Sequence, residues 1–277
     1  MTDVTAVVCS WNSIKSIEKC LKSLTKNDVN VIVVDANSDD GSREIIDRYA
    51  NKVLTDPRKG LALARNIGIK FVKTKYVLNC GPDNILPKNQ LKKMLIYMEQ
   101  NKFAGVSAET FIKSKKMNYI SYSLNLYKKA RYYPGKRNVI GTPSLFRTSL
   151  LKKYKFDNRM SHSDDADLCT RLAKKNYEFA ISNAYVYEYG FESFSTIVDR
   201  WKRYGKSDKE IFSKYSKEWD IKRKIQSILY PLYVELLKPM YKLDFLNKIV
   251  LLPFLIFITL VRYFFWIKYS IFKDNNL

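Results

Sequence analysis

The sequence predicts an α/β fold: a mostly parallel sheet flanked by helices, with a C-terminal helical tail that seeks a membrane. Three observations predict it. Short β-rich runs alternate with helical patterns over the first hundred residues. Runs such as Val31-Ile32-Val33-Val34 are apolar without a break, as befits strands covered on both faces. And 249–267 carries one charge, Arg262, in 19 residues, the length of apolar helix that crosses a bilayer.

In chain order, the strand candidates are Val4–Cys9, Val31–Val34, Lys52–Thr55, Tyr76–Asn79 and Ala104–Ala108. Helix candidates lie between them, near 14–25, 42–50, 60–73 and 88–101. The stretch 105–200 is less regular. Ser163 is placed to cap a helix opening Asp164-Asp165-Ala166-Asp167-Leu168, with Leu168 and Leu172 on one face and Asp167 four residues before Arg171. Further on, 225–241 is amphipathic and interrupted by Pro231 and Pro239, which reads as a helix lying in a membrane plane. In 249–267, Tyr263, Trp266 and Tyr269 cluster beside Lys268 at the far end, near enough for Arg262 to snorkel. A bilayer span is the preferred reading of that segment over a purely interfacial attachment; a core helix or an oligomer contact is the further alternative.

Charge narrows the partners. The 277 residues hold 49 Lys and Arg against 27 Asp and Glu, a net charge of +22. Such an excess implies a polyanionic neighbour: nucleic acid, anionic lipid or a phosphorylated substrate. Residues 111–138 contain eight basic side chains, no acid and five interleaved tyrosines. With an apolar tail downstream, anionic lipid is the favoured neighbour. The chain carries no recognised nucleic-acid motif, and carboxylates at its strand ends would repel phosphates, so nucleic acid is not expected as a partner. The four cysteines are widely spaced and include no CxxC, which argues against a disulfide framework or zinc site and for reduced core thiols. Val4-Thr5-Ala6-Val7-Val8-Cys9 starts the chain as a strand where a secretory signal would need a cationic and then apolar stretch.

Ligands of open α/β sheets sit beyond the carboxyl ends of the strands, and chemistry-bearing residues stand there. Ser10-Trp11-Asn12 follow the first strand, Asp35 closes the second and leads to Asn37-Ser38-Asp39-Asp40-Gly41-Ser42, and Gly81-Pro82-Asp83-Asn84 follow the fourth. Neither G-x-G-x-x-G nor G-x-x-x-x-G-K-[ST] occurs, which excludes the dinucleotide and P-loop fingerprints. Each residue has a plainer reading: Asp35 and Asp40 as Asx turns, Pro82-Asp83-Asn84 as a turn, Asp164 and Asp165 as an acidic first helical turn, Arg65 as a surface helix residue and Trp11 as core.

As an ordered set these segments resemble family 2 glycosyltransferases, over about residues 1–205. Val33-Val34-Asp35-Ala36-Asn37-Ser38-Asp39-Asp40-Gly41-Ser42 is similar to the family's "VVDnGStDGS". Gly60-Leu61-Ala62-Leu63-Ala64-Arg65-Asn66-Ile67-Gly68 is similar to "G.a.ARN.G". Tyr76 to Asp83 occupies the slot of "yilflDsD", and Asp164 to Leu172 resembles "EDtDLslRl". The resemblance implies a GT-A-like fold and inverting transfer from a UDP-, GDP- or dTDP-sugar. It implies a domain over 1–205, with a nucleotide-sugar-binding half at 1–105 and an acceptor half at 106–205, ahead of a tail at 206–277. It implies Asp83 as ligand to Mg²⁺ or Mn²⁺, although Gly81 stands where the family has the first Asp of D-x-D. Ser10, Asn12, Asp35, Asp40, Arg65 and Asp83 are then donor-binding. Asp165 is the general base and Asp164 its neighbouring candidate, two adjacent carboxylates being able to raise one pKa. His162, the single histidine, reads as a loop residue, and Glu188 stands where many relatives carry a metal-binding His.

The leading expectation is therefore a membrane-associated transferase, its catalytic domain facing the cytoplasm, that adds a sugar to a lipid-linked saccharide, glycolipid or polysaccharide. One alternative is transfer to a polyprenyl phosphate, an acceptor that hardly needs a base. Another is a non-catalytic membrane-bound module that binds nucleotide sugars or polyanions.

Overall fold

The computed structural model describes residues 3–114, 117–190 and 193–271. Lys115 and Lys116 of the basic run lie outside them. The chain divides into two compact units. The first comprises 1–113 and 133–190; the second comprises 114–132 and 191–277.

The first unit is built on a sheet whose central order is β3(Lys52–Thr55), β2(Asn30–Asp35), β1(Val4–Ser10), β4(Tyr76–Cys80), β8(Ser144–Arg147), β6(Gly105–Lys113), β9(Phe179–Tyr189) and β5(Asn84–Ile85). β7(Gly135–Arg137) also pairs with β9. Parallel pairing joins β3, β2, β1 and β4, and again β6 and β9. β8 runs antiparallel between β4 and β6, while β5 and β7 run antiparallel to β9. The sheet is thus mixed, with its parallel part where strand–helix alternation is clearest.

Both faces are covered. One face packs on α1(Ile17–Thr25), α2(Ser42–Tyr49) and α4(Gln90–Gln100), through Leu21, Leu24, Ile46 and Met94. The other packs on α3(Leu61–Lys70), α6(Thr148–Tyr154) and α7(Asp164–Ala173), through Ala62, Ile69, Leu151 and Leu168. Strand side chains alternate between the two cores: Val8 and Leu78 face one, Val7 and Val77 the other. α3 lies flush on the sheet because Gly68 has no side chain, and a Cβ there would meet Val7 Cγ1 at 2.5 Å. The last residue of the "ARN.G"-like stretch is therefore a packing requirement.

The second unit is helical. α5(Tyr119–Arg131) opens on a capping box in which the Asn118 side chain accepts from Ser121 N and the Ser121 hydroxyl reaches back to Asn118 N. It joins α8(Phe194–Tyr215), α9(Ile221–Pro231), α10(Lys238–Lys242) and α11(Phe245–Ile271). Pro231 and Pro239 do not break the segment as expected. Between α9 and α10 the chain widens into a π-helical stretch, Leu232–Leu237, so the helical path runs through both prolines. Arg262 does not snorkel either. It is buried, with Nε and Nη2 donating to the two oxygens of Asp208 at 2.6 and 2.7 Å, and Nη1 donating to Glu235. Arg131 donates to the same Glu235 at 2.9 and 3.0 Å. Each buried charge in this cluster has an opposite charge beside it, the condition for burying ions at all.

Candidate active site

Strand register gathers the β-strand ends. Ser10 pairs with Asp35 at the ends of β1 and β2, and Val8 pairs with Cys80 at the end of β4, three residues before Asp83. Ser10 is buried, and its hydroxyl has no hydrogen-bond partner among the described residues. Asp35 is 1% exposed and accepts from Ser38 N at 3.0 Å and Ser38 Oγ at 2.7 Å, an Asx turn that opens the next loop. Asp40 ties two loops together, accepting from Ile14 N on one oxygen and from Ser42 N and Ser42 Oγ on the other. Asn12 makes the matching bridge: its side chain donates to Asp39 Oδ1 at 2.8 Å and accepts from Asp39 N at 3.1 Å. The loops beyond these strand ends thus form a rim held by short polar side chains. Trp11 is not core. It is 59% exposed, with the Arg58 guanidinium 5.4 Å from its ring centre, a flat platform on that rim.

Asp83 lies in a tight turn. Asn84 N donates to Gly81 O at 3.1 Å, Gly81 N donates to Asn84 Oδ1 at 2.9 Å, and Tyr189 N donates to Asp83 O at 3.0 Å. The glycine at 81 has a local cause: a Cβ there would meet Asp83 Oδ1 at 2.5 Å. The Asp83 carboxylate occupies the space that a side chain at 81 would need. Glu188 stands opposite Asn84 in the β5–β9 pairing. No group of three or more His, Cys, Asp or Glu side chains is placed to hold an ion unaided among the described residues. The Asp83 carboxylate offers oxygen ligands of the kind Mg²⁺ or Mn²⁺ takes, and fits an ion that draws its other ligands from a bound substrate.

The acidic pair is assembled from α7 and α3. Arg65 carries the resemblance's implication of a donor phosphate, but its Nη1 here donates to Asp164 Oδ2 at 2.5 Å and to Asp165 Oδ1 at 2.7 Å. Its guanidinium rests 5.2 Å from the centre of the Phe156 ring. Asp164 is buried, whereas the Asp165 side chain keeps 23% of its surface open. Burial pushes the Asp165 carboxyl up to about 7; Asp164 reinforces the rise and Arg65 opposes it. The same surroundings push the Cys9 thiol of β1 up to about 12 by burial, with Arg65 opposing and Asp164 adding to the rise, which sets the pair beside the end of the first strand. Gly141 borders Asp165, since a Cβ there would lie 3.7 Å from Asp165 Oδ2. Ser163 precedes the helix without a side-chain cap bond, and Asp167 pairs with Arg171 at 2.8 Å. His162 sits in the loop just before.

Sequence reasoning missed three features. Arg58 donates to Ala36 O and Asn37 O and so braces the rim. Asn79 and Ser144 are cross-strand partners whose buried polar side-chain atoms have no partner among the described residues. A hollow of about 620 Å³ beside the Asp83 turn is lined by Lys19, Lys22, Lys26, Lys88 and Lys113 and by no acid. The helical spacing of Lys19, Lys22 and Lys26 was its only trace in the sequence.

The comparisons with known proteins follow the same lines. The profile described as Glycosyl transferase family 2 matches residues 5–155, and that described as Glycosyl transferase family group 2 matches 82–272. An uncharacterized glycosyltransferase of Methanocaldococcus jannaschii is 24% identical over 200 residues, 68% of this chain and 69% of that one. The poly(ribitol-phosphate) β-N-acetylglucosaminyltransferase TarS of Staphylococcus aureus is 26% identical over 55% of this chain, a match that spans only 29% of its own length. Among solved structures, the mannosyltransferase of Pyrobaculum calidifontis in complex with GDP-Man and Mn²⁺ covers 99% of this chain and 88% of its own. Its TM-score is 0.68 at 17% identity, a likeness of GT-A fold. With a family profile over more than half of its length and the matching strand-end motifs in place, the chain belongs to glycosyl transferase family 2 and is a glycosyltransferase.

Proposed function

We propose that the protein transfers a sugar, with inversion, from a nucleoside-diphosphate sugar to a hydroxyl of a lipid-linked saccharide, glycolipid or polysaccharide at the cytoplasmic face of a membrane. The observation that carries this reading is the Arg65–Asp164–Asp165 cluster, in which Asp165 is partly open and titrates near neutrality. A general base works best when its pKa lies near the working pH. Asp165 takes the proton of the acceptor hydroxyl as that oxygen bonds to the anomeric carbon, and the bond from that carbon to the diphosphate oxygen breaks on the opposite face. Arg65 holds the carboxylate in place and balances Asp164. Asp35 and the loop braced by Asn12 receive the nucleoside, with Trp11 as a surface for a flat ring. Asp83 would hold a divalent cation, which supplies positive charge against the departing diphosphate. The mannosyltransferase of like fold from Pyrobaculum calidifontis is in complex with GDP-Man and Mn²⁺, which supports a divalent cation in this reaction.

The lysine-lined hollow favours a second reading of the acceptor: one that carries phosphate, a polyprenyl phosphate included. Asp165→Asn separates the two. Transfer to a neutral hydroxyl falls by the 10²–10⁴-fold typical of a lost general base, whereas transfer to a phosphate oxygen, already anionic, falls little. Release of nucleoside diphosphate, measured with each acceptor class, is the assay. Full activity of the variant with every acceptor would remove Asp165 from the chemistry.

The tail supports the membrane. α11 is long and apolar enough to cross one, and the basic excess suits anionic headgroups.

A further inference from the structure

α11 has two unlike faces. Leu251, Leu255, Ile258, Arg262 and Trp266 are buried inside the helical unit, while Phe245, Ile249, Ile256, Leu260, Ile267 and Ile271 are exposed along the opposite side. The buried face is locked to α8. A Cβ on Gly205 would meet Arg262 O at 2.6 Å and Trp266 N at 2.9 Å, so the two backbones nearly touch. Three residues on, Asp208 takes the bidentate ion pair from Arg262.

That lock decides how the unit can meet a bilayer. α8 carries nine charged side chains in 22 residues. If α11 crossed the membrane, α8 would cross with it and carry those charges into lipid, where charged side chains are costly. Leaving α8 behind would instead strip Arg262 of Asp208 and put buried charges into lipid. A second stripe continues the exposed face. Ile221, Ile225, Leu229, Tyr233, Leu237 and Tyr241 recur every fourth residue through α9 and α10, each at least half exposed. Lys222, Arg223, Lys224, Lys238, Lys242 and Lys248 stand among these residues, with Lys268 near the far end. Between 221 and 271 the acids are Glu235, buried in its ion pairs, and Asp244. An apolar stripe edged by cations fits an anionic bilayer surface, where acyl chains take the stripe and headgroups the lysines.

We propose that the helical unit is an in-plane anchor: α9, α10 and α11 lie along an anionic bilayer with their exposed stripes in the headgroup–acyl boundary, and α11 does not cross. The inference rests on the membrane reading above. The experiment uses the full chain with a single added thiol, Lys248→Cys or Lys268→Cys, roughly 30 Å apart along the helix. Inside-out and right-side-out membrane vesicles from expressing bacterial cells are treated with a membrane-impermeant maleimide, with the unsubstituted chain as background for the native thiols. In-plane binding labels both positions in inside-out vesicles and neither in right-side-out ones. Labelling of one position in each preparation means that α11 spans, and overturns the proposal while leaving the membrane reading intact. A chain found wholly in the soluble fraction overturns both. A companion variant, Ile256→Glu with Leu260→Glu, changes exposed positions only. Its retention by sealed vesicles of phosphatidylglycerol and phosphatidylcholine should fall at least tenfold with an unchanged melting temperature. If these changes instead split a dimer and leave vesicle binding as it was, the stripe is a contact between copies, which also overturns the proposal.

Discussion

Replacing Arg65 by Met tests the catalytic reading most directly, because one side chain holds both carboxylates. Met keeps the bulk and removes the charge. At an effective dielectric near 20, a delocalised guanidinium about 4 Å from a carboxylate charge stabilises it by about 4 kcal/mol. Since one pH unit corresponds to about 1.4 kcal/mol, the ceiling on the rise of the Asp165 midpoint is about three pH units. Solvent limits the rise, because the Asp165 side chain keeps 23% of its surface open. We expect the limb of the pH–rate profile that starts near 7 to move up by about one unit. Ionisation alone then lowers the rate at neutral pH about fivefold, and loss of positioning lowers it further. The sign for stability follows from the same group. An acid whose pKa is raised in the folded state binds its proton more tightly there than when unfolded, so its contribution is fully present at low pH. It is lost as pH rises from the ordinary Asp value towards the folded one. The variant should therefore be destabilised most at alkaline pH, by about 3–5 kcal/mol for a buried pair left without its partner. The assay is nucleoside diphosphate release against pH, beside thermal melts at the same pH values. Arg65→Lys, which keeps the charge, should restore most of the midpoint. A folded Met variant whose profile stays centred near 7 would refute the account of Asp165.

Other outcomes are expected from single sites. Asp83→Ala should abolish metal-stimulated donor binding, read by calorimetry with and without Mn²⁺. Gly81→Asp should weaken rather than strengthen it, since the new Cβ displaces the Asp83 carboxylate. Gly205→Ala should lower unfolding free energy by about 1–3 kcal/mol, seen as an earlier loss of helical ellipticity, because its methyl group meets the backbone of α11. Lys19, Lys22 and Lys26 changed together to Gln should raise KM for a phosphate-bearing acceptor severalfold and leave KM for the donor unchanged. Equal effects on both would place donor phosphate in the hollow.

What could be read in advance was local. The first four strands and their helices follow from periodicity within ten residues, and Asp164 to Leu172 forms the expected helix with its Asp167–Arg171 pair. The gathering of strand-end residues follows from parallel connection alone. Contacts between distant segments were not legible. Arg65 meets Asp164 across 99 residues, and nothing near Arg65 marks it as a partner of acids rather than phosphate. α5 was unreadable because Ile120, Leu124 and Tyr127, its large buried apolar positions, are diluted by the polar and basic residues of a run that looks like a solvated face, although Lys128 and Arg131 are buried too. Arg262 looked like a snorkelling cation because its counter-ions, Asp208 and Glu235, lie on other helical segments. The Asp83 turn was legible, but the reason for Gly81 was not, since it lies in where one carboxylate oxygen points.

The helical unit takes α5 from the middle of the chain and completes it with α11. A ribosome delivers those parts far apart in time. About 110 residues separate the end of α5 from the start of α11, which at roughly 5–20 residues per second is on the order of ten seconds of synthesis. About half of that interval passes before β9 is made and the sheet can close around its own two cores, while α5, with Tyr127 and Arg131, waits for Glu235 and then for Arg262. The nascent protein thus passes through a stage with a finished catalytic sheet and an unfinished anchor. On the in-plane anchor proposed above, attachment to lipid follows closure of the sheet, and a chain stalled before α11 exposes apolar surface that α11 would cover.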